Sequence, residues 1–355
     1  MSFAGHAPHR RTRSPAGIVS LCLGVALALC AHLPSALAAD VANDIPPRLQ
    51  WAENFGYCGE VSFISAGLYY GQYVSQYDAR RIASRGADQS KERSQLLLGM
   101  NDLHAASKMH LSVEAWDSDS AQNSSNFLAW VKENVASGFP VIIGIYVNQS
   151  ISTGSDDEDA GDPQYDHIVP VFGISSKHPL TAPWIYYSDD VIKFSDNGDS
   201  GAPTFLYNYA FGPFQASRQE ANSESRPLYS LPRRGGNYGV AVTGIIDHDG
   251  ETLPVRVTTD VNTEEPPMRR GSNTRPAAQN LTLTVTVSGL RPGVTYNLYR
   301  YNNFESVPNS GFNRKASNAA RVWKVNIASG STYSIMEGIL SNQTAVYRAV
   351  PDSAP

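Results

Sequence analysis

Cysteine is scarce in this chain. Three cysteines occur among its 355 residues, and two of them, Cys22 and Cys30, lie in the apolar N-terminal stretch. If that stretch is removed, Cys58 is left alone, and a single thiol excludes an internal disulfide. In an exported protein, a lone cysteine is either a small buried hydrophobic residue or a reactive thiol that is kept for chemistry.

The chain also lacks an apolar run long enough to span a membrane. Its N-terminal run, residues 18–31, is shorter than the about 20 residues that a transmembrane helix needs. Three arginines and no acidic residue precede it, and Ala36-Leu37-Ala38 follows it with small residues where a signal peptidase cuts. This pattern predicts a signal peptide over residues 1–38, a secreted or periplasmic protein, and no transmembrane anchor after cleavage.

An excess of basic side chains is absent too. Without residues 1–38 the chain has 25 Lys and Arg side chains against 33 Asp and Glu, which gives a formal charge of −8. A moderately acidic surface argues against nucleic acid as the natural partner. The sequence contains no internal repeat and gives no indication of the oligomeric state.

What is present is a largely helical first part followed by strands. Hydrophobic spacing predicts helices at residues 59–70, 77–84, 95–109 and 123–137, and strands at 111–116, 140–147, 167–174, 184–187, 191–195 and 238–246. Helices that come first and antiparallel strands that follow are typical of an α+β domain, which we assign to residues 39–250.

Residues 251–355 have an all-β texture. β-branched and aromatic runs at 253–259, 281–287, 295–301, 322–327 and 345–349 alternate with turn residues. About 100 residues of this kind suit a small β-sandwich. Residues 287–296 weakly resemble the turn and strand entry of a fibronectin type III-like β-sandwich. We therefore predict a second domain, an all-β sandwich over 251–355, which is separable from the first.

Cys58 stands where a helix begins. The unpaired amide hydrogens and partial positive charge of a helix N-terminus stabilise a thiolate, which is the nucleophilic form of the side chain. Gly56 and Gly59 permit a close backbone approach, and the amide of Cys58 can donate to a developing oxyanion. The alternative is a structural thiol that fills space at the helix start.

A cysteine nucleophile needs a base, which is most often histidine. Without residues 1–38 the chain has five histidines, namely His104, His110, His167, His178 and His248. Four of them fall in a surface helix, its end, a loop or a turn. Only His167 opens an apolar strand, which would hold its ring rigidly beside a neighbouring element. We predict His167 as the base, with a hydrogen-bonded core histidine as the alternative.

Three short motifs follow one another in a familiar order. They are YCGE at 57–60, GFPVI at 138–142 and DHIVPV at 166–171. Over roughly residues 50–246 the chain resembles the papain-like cysteine peptidase superfamily and is closest to the peptidase C39-like branch. The resemblance implies a papain-like domain, with a helical half and an antiparallel β half, ahead of the sandwich. It implies Cys58 as nucleophile and His167 as general base and acid, without a metal or organic cofactor.

The resemblance further implies a residue that orients the imidazole from the strand after His167. The C39-like pattern points to Asp196 and the papain pattern to Asn197. Strand alternation puts Asp196 on the face of Ile192 and Phe194, which favours it. Asp189 and Asp190 are further alternatives.

The implied oxyanion-hole donor is Gln50. It lies two residues farther upstream of the cysteine than the family's usual glutamine, and Asn54 is an alternative. Glu60 replaces the small residue that the family usually carries after Cys-Gly, either to bind a substrate amine or to face water.

These expectations combine into a function. We predict a secreted cysteine hydrolase that cleaves a peptide or amide bond of a peptide or protein substrate through a Cys58 thioester. One alternative is a catalytically inactive papain-like binding protein that uses its β-sandwich module for recognition. Another is a transglutaminase-like acyltransferase that uses the same thiolate.

Overall fold

A computed structural model describes residues 39–117, 123–147, 165–198, 206–215, 228–232, 236–261 and 269–352. The predicted signal peptide lies outside these residues. No helix in the described part of the chain is both long and apolar enough to cross a membrane.

The fold is mixed α/β, with more strand than helix and with antiparallel sheets. The helices are α1 (Cys58–Tyr69), α2 (Gln76–Ala83), α3 (Asp102–Lys108), α4 (Ser124–Ala136) and α5 (Phe211–Phe214). The strands are β1 (Ala39–Ala42), β2 (Gln72–Tyr73), β3 (Leu111–Ala115), β4 (Val141–Val147), β5 (His167–Ser176), β6 (Val191–Ser195), β7 (Leu206–Ala210), β8 (Tyr229–Ser230), β9 (Gly239–Ile245), β10 (Val255–Thr259), β11 (Asn280–Ser288), β12 (Thr295–Tyr301), β13 (Arg321–Asn326), β14 (Thr332–Leu340) and β15 (Ala345–Pro351).

The largest sheet has eight strands. Its main path runs β3-β9-β4-β5-β6-β7, with β1 paired to β5 and β8 paired to β4. Two smaller sheets follow the orders β10-β11-β14 and β13-β12-β15-β2. Although β2 lies between α1 and α2 in sequence, it pairs with β15 through Tyr73 opposite Ala345 and Gln72 opposite Val346. The first part of the chain therefore supplies an edge strand to a C-terminal sheet.

Hydrophobic side chains cover both faces of the large sheet. Along β4, Ile142 belongs to one buried cluster, while its neighbours Val141 and Ile143 belong to another. This alternation is the period-2 pattern of a strand that is buried on both sides. The first cluster contains Phe63 and Ile64 of α1 and continues through β10, β11, β12 and β15. The C-terminal strands thus share a hydrophobic cluster with α1.

Helix α1 is buried along nearly its whole length, from Gly59 to Leu68. Its apolar residues are accordingly spread around the helix rather than confined to one stripe, as expected for a core helix. Gly59 is required at its start, because a Cβ built there would lie 2.0 Å from the carbonyl oxygen of Leu96. This close approach sets the distance between the start of α1 and the loop that leads to α3.

Some elements differ from the sequence-based expectation. The helix predicted at 95–109 is shortened to α3, because Gly99 adopts a left-handed φ of 77° and Asn101 bonds the backbone of Gln95 and Leu97 instead. No strand forms at 184–187. Strand β14 was not predicted, since Glu337 interrupts its apolar face and the apolar residues Met336 and Leu340 lie on the exposed face, which together obscure the alternation.

Candidate active site

Cys58 and His167 meet where helix α1 packs on strand β5. Cys58 is the first residue of α1, and His167 is the first residue of β5. The thiol lies near enough to the imidazole to help raise the pKa of His167. The Oγ atom of Ser62 holds this junction, since it lies 2.8 Å from the carbonyl oxygen of Cys58 and 3.1 Å from that of Ile168.

The other side of the His167 ring is bonded to Asp196. The Nε2 atom of His167 lies 2.9 Å from Oδ1 of Asp196, which leaves Nδ1 as the ring nitrogen for Cys58. Burial lowers the pKa of His167, but the bond to Asp196 and the nearby Cys58 thiol outweigh burial and raise this pKa to about 9. For Asp196 burial acts in the opposite direction and raises the pKa. The hydrogen bonds from its partners, of which His167 has the largest effect, outweigh burial and lower the pKa of Asp196 below its ordinary value. The geometry therefore favours an imidazolium paired with a carboxylate.

Asp196 accepts hydrogen bonds from two further donors. The backbone amide of Gly198 donates to Oδ1 at 2.8 Å, and the hydroxyl of Tyr229 donates to Oδ2. No feature of the sequence pointed to Tyr229. It lies in a stretch rich in Ser, Pro, Asn and Gly, far from the motifs, and only the folded chain brings it to Asp196.

Asn197 points away from the imidazole. Its Nδ2 atom donates to the carbonyl oxygens of Ile168 at 2.9 Å and Cys58 at 3.1 Å, and lies 3.1 Å from the Oγ atom of Ser62. These contacts tie the end of β6 to the starts of α1 and β5. Asn197 therefore holds the elements that carry the cysteine and the histidine, and Asp196 holds the ring.

Asp189 and Asp190 are engaged elsewhere. Asp189 pairs with His178 at 2.9 Å, and Asp190 pairs with the buried Lys132 at 2.7 Å. One ligand atom from each of His178, Asp189 and Asp190 lies within 4.8 Å of the others, so this group could hold a metal ion. Each of its three residues already has a hydrogen-bond partner, with Lys132 beside the buried carboxylate.

Gln50 reaches the site despite its unusual distance from Cys58 in sequence. Its Oε1 atom accepts a hydrogen bond from the backbone amide of Tyr57 at 2.7 Å. The backbone amide of Gln50 donates to the backbone carbonyl of Asn197 at 2.8 Å. Because Oε1 is occupied, Nε2 is the free end of the side chain, and it lies 3.0 Å from where a Cβ of Gly198 would stand. Gln50 thus bridges the loop before Cys58 and the loop after Asp196.

Asn54, the alternative to Gln50, is directed elsewhere. Its Oδ1 atom accepts from the amide of Gly271 at 2.7 Å, and its Nδ2 atom donates to the carbonyl of Ser272 at 2.8 Å. The side chain therefore fastens the loop before Cys58 to the segment after residue 268. Both the oxygen and the nitrogen of its side-chain amide are therefore used in this contact.

The loop before Cys58 is held in an unusual backbone conformation. Asn54, Phe55 and Gly56 all have left-handed φ angles, of 53°, 69° and 77°. Such angles cost energy in residues other than glycine and persist only where surrounding contacts impose them. Arg80 supplies those contacts, because its guanidinium donates to the carbonyl of Asn54 at 2.8 Å and to the carbonyl of Gly56.

Glu60 is the buried partner of Arg80, and both expectations for it, a substrate-binding carboxylate or a solvent-facing one, are wrong. The two side chains pair at 2.6 Å and are essentially inaccessible to solvent. Glu60 also accepts from the amide of Leu96 at 3.0 Å, and the Arg80 guanidinium stacks 3.4 Å over the ring of Tyr57. The pairing of Glu60 with Arg80 could not be predicted from the local sequence, because Arg80 lies on another helix.

Among the described residues the site therefore brings together a thiol, an imidazole hydrogen-bonded to a carboxylate, and an amide side chain beside them. Comparisons of the chain with protein-family models, with curated proteins and with solved structures returned no match. The function is therefore inferred from the residues of the site alone.

Proposed function

We propose that this protein is a secreted cysteine hydrolase that cleaves a peptide or amide bond through a Cys58 thioester. The observation that carries the proposal is the alignment of Cys58, His167 and Asp196 at a helix start packed on an antiparallel sheet. The thiol lies near the imidazole, and the imidazole is hydrogen-bonded to the carboxylate. A thiol that only filled space would have no need of an imidazole whose other nitrogen is held by a buried carboxylate.

The first step is attack by the thiolate on the substrate carbonyl. His167 takes the thiol proton on Nδ1, and Asp196 stabilises the resulting imidazolium. The Cys58 sulfur then bonds to the carbonyl carbon, and the carbonyl oxygen becomes an oxyanion. The raised pKa of His167, about 9, favours the protonated ring at neutral pH, so the proton is ready for the leaving group.

Two donors are available for the oxyanion. One is the backbone amide of Cys58, which as the first residue of α1 has no partner within the helix. The other is Nε2 of Gln50, whose direction is set by the bond between its Oε1 atom and Tyr57. Fixed donors of this kind stabilise the tetrahedral intermediate because they need no reorganisation during the reaction.

Collapse of the intermediate breaks the bond between carbonyl carbon and amine nitrogen, and the amine leaves with the proton from His167. Water then attacks the thioester while His167 takes one of its protons, and the acid leaves as the thiol or ion pair is restored. Every group in this cycle belongs to the chain, and no cofactor takes part in a step.

The papain-like fold is part of the proposal. A cysteine-bearing helix packs on an antiparallel sheet whose adjacent strands, β5 and β6, carry the histidine and the residue that orients it. These relations support a papain-like arrangement for residues 39–250. The sheets β10-β11-β14 and β13-β12-β15-β2 support a sandwich-like C-terminal part, which is joined to the first part through β2.

The test uses the chain that begins at Ala39, incubated with a mixture of peptides and analysed by mass spectrometry for new termini. Wild-type protein should cleave a subset of peptides, while Cys58→Ala and His167→Ala should cleave none at a comparable rate. His178→Ala is the matched control, because His178 is also a histidine paired with an aspartate but does not belong to the Cys58 site.

Two results would reject the proposal. One is cleavage that persists in Cys58→Ala, and the other is a wild-type thiol that reacts with iodoacetamide no faster than free cysteine while no peptide is cleaved. If added amines were incorporated into the peptides in place of water, the thioester chemistry would hold and the reaction would be acyl transfer.

A further inference from the structure

Tyr229 occupies the side of Asp196 that faces away from the histidine. Oδ1 of Asp196 takes the bonds from His167 and Gly198, and Oδ2 takes the hydroxyl of Tyr229. We propose that Tyr229 is a positioning residue that fixes the Asp196 carboxylate and moderates its charge towards His167. This inference rests on the proposed function, because it assigns Tyr229 a role in the same site.

The tyrosine is itself rigidly placed. Its backbone pairs with Val147 on β4, and its side chain is only 5% exposed. Its ring meets those of Phe194 and Tyr207 edge-on, with centroids 5.6 Å and 5.1 Å away. A hydroxyl on a ring held in this way can reach Asp196 in one orientation only, so the bond does not depend on a mobile side chain.

The hydroxyl acts as a neutral donor. Burial and the neighbouring Asp196 carboxylate both raise the pKa of Tyr229, so the phenol keeps its proton at neutral pH. A hydrogen bond to a charged acceptor is worth more than one between neutral groups, and it draws negative charge towards Oδ2. Less charge then remains on Oδ1 to hold the imidazolium.

The titratable groups around this carboxylate come from three neighbouring elements. His167 approaches from β5, with Cys58 of α1 beyond it, and Tyr209 of β7 lies near enough for Asp196 to disfavour its ionisation. Tyr207 and Tyr209 also act on Tyr229. Of these groups, His167 is the one that is bonded directly to Asp196 and carries positive charge when protonated, so it is the group that reports a change at Tyr229.

The experiment compares two alkylating reagents on the folded chain from Ala39. Iodoacetate is an anion and iodoacetamide is neutral, so the ratio of their rate constants at Cys58 measures the positive charge on His167. In wild-type protein the ratio should fall as pH rises through about 9, where His167 loses its proton. Asp196→Asn should move this midpoint to lower pH, since the ring loses its carboxylate.

Tyr229→Phe should move the midpoint in the opposite direction, by on the order of half to one pH unit, because Asp196 loses a donor and holds the proton on His167 more strongly. Gly198 still fixes Oδ1 in this variant. Tyr207→Phe is the control, as it removes a hydroxyl from the same aromatic cluster. A midpoint equal to that of wild type, or a lower one, would overturn the inference.

The outcome separates this inference from the proposed function. If the wild-type ratio has no pH step, or His167→Ala leaves the step unchanged, the proposed function fails. If the step is present and Asp196→Asn moves its midpoint to lower pH, while Tyr229→Phe does not move the midpoint to higher pH, only the role of Tyr229 fails. Tyr229→Met is the second variant, should the phenylalanine protein not fold. If neither folds, Tyr229 serves the fold alone and the positioning role is rejected.

Discussion

The guanidinium of Arg80 and the carboxylate of Glu60 meet 2.6 Å apart, in the interior of the protein, beside the loop that leads to Cys58. Arg80 extends from α2 to hold two carbonyl groups of that loop, and Glu60 extends from α1 to hold Leu96. A buried ion pair does not by itself imply stability. Here the pair joins two helices to a strained loop. Its loss should therefore lower both the free energy of unfolding and the reactivity of Cys58.

Arg80→Met should destabilise the protein by about 3–5 kcal/mol, because Glu60 is left charged and unpaired in the interior. The loop at 54–56 should also relax, which lowers the alkylation rate of Cys58. Urea unfolding measures the first effect and iodoacetamide the second. Arg81→Met is the control, since the Arg81 side chain is 60% exposed and its buried partner Asp78 also pairs with Arg275.

The double variant Arg80→Met with Glu60→Gln removes the unpaired charge. It should recover part of the lost stability without restoring the loop, so unfolding and alkylation should separate. If Arg80→Met and Arg81→Met have the same stability, the buried pair has no structural role. If the double variant regains full reactivity, the loop does not depend on Arg80.

Asp196→Asn and Asn197→Ala should fail in different ways. The first keeps the shape of the side chain but removes the charge that stabilises the imidazolium, so the pKa of His167 should fall below about 9. The second removes the bonds to Ile168 and Cys58, so it should destabilise the protein by about 1–3 kcal/mol and leave the pKa of His167 near its present value.

Histidine-selective isotope labelling and an NMR titration follow the ring directly, with the His167→Ala spectrum to identify its signal. The opposite pattern, in which Asn197→Ala lowers the pKa of His167 and Asp196→Asn does not, would assign the orienting role to Asn197. A denaturant midpoint recorded for each variant distinguishes a shifted pKa from a partly unfolded sample.

Strand alternation in the sequence was sufficient to prefer Asp196 over Asn197 for the histidine, because the period of two in a strand is a local property. The same holds for the helix start at Cys58 and the strand start at His167, whose bounds agree closely with the expectation. Gln50 could be proposed only from a family pattern that its position does not match.

Tyr229 and the pair of Glu60 with Arg80 could not be predicted in this way. Each depends on contacts between elements far apart in sequence, and each residue has an ordinary local context. Strand β14 was missed for a different reason. Its residues are mostly exposed, so pairing with β11 rather than burial specifies it. These features are therefore determined by contacts between elements far apart in sequence, which local patterns do not predict.

The stability of the protein should depend on pH through His167. Its folded pKa is raised from 6.5 to about 9, so its contribution is complete below pH 6.5 and is lost as pH rises through 9. The difference between the unfolded and folded pKa values of His167 corresponds to a contribution of about 3 kcal/mol to the free energy of unfolding. Asp196, whose pKa is lowered, contributes above 3.8 and loses its contribution as pH falls through the folded value.

Denaturant unfolding of wild type and of His167→Ala, from about pH 5 to about pH 10, tests this expectation. The difference in unfolding free energy between the two proteins should be largest at about pH 5 to 6.5 and should shrink towards pH 9. The comparison also cancels His110, whose pKa is lowered by burial to about 4 and which acts with the opposite sign. A difference that stays constant or grows with pH would contradict the raised pKa.

Removal of the C-terminal strands should unfold the rest of the chain. The sequence suggested that a chain ending at Gly250 stays folded, but α1 and the C-terminal strands bury their side chains in one hydrophobic cluster. The hydroxyl of Tyr73 donates to the carbonyl of Ser341 at 2.9 Å, and Arg348 donates to Gln72 at 2.9 Å from a fully buried position. We therefore expect the shortened protein to expose apolar surface and to aggregate.

The measurement is the elution volume and the circular dichroism of the chain from Ala39 to Gly250, beside the full chain from Ala39.

A milder variant separates loss of the shared cluster from a simple effect of length. Gly71→Ala would place a Cβ 2.8 Å from Val255 and introduces a side chain at a φ of 75°, so it should weaken the junction within a full-length protein. Gly244→Ala is its control, since a Cβ there meets nothing within 4 Å. If the shortened chain elutes as a folded monomer with a reactive Cys58, the C-terminal strands are a separable domain after all. If Gly71→Ala loses stability where Gly244→Ala does not, and the shortened chain aggregates, the first part of the protein depends on the second for its core.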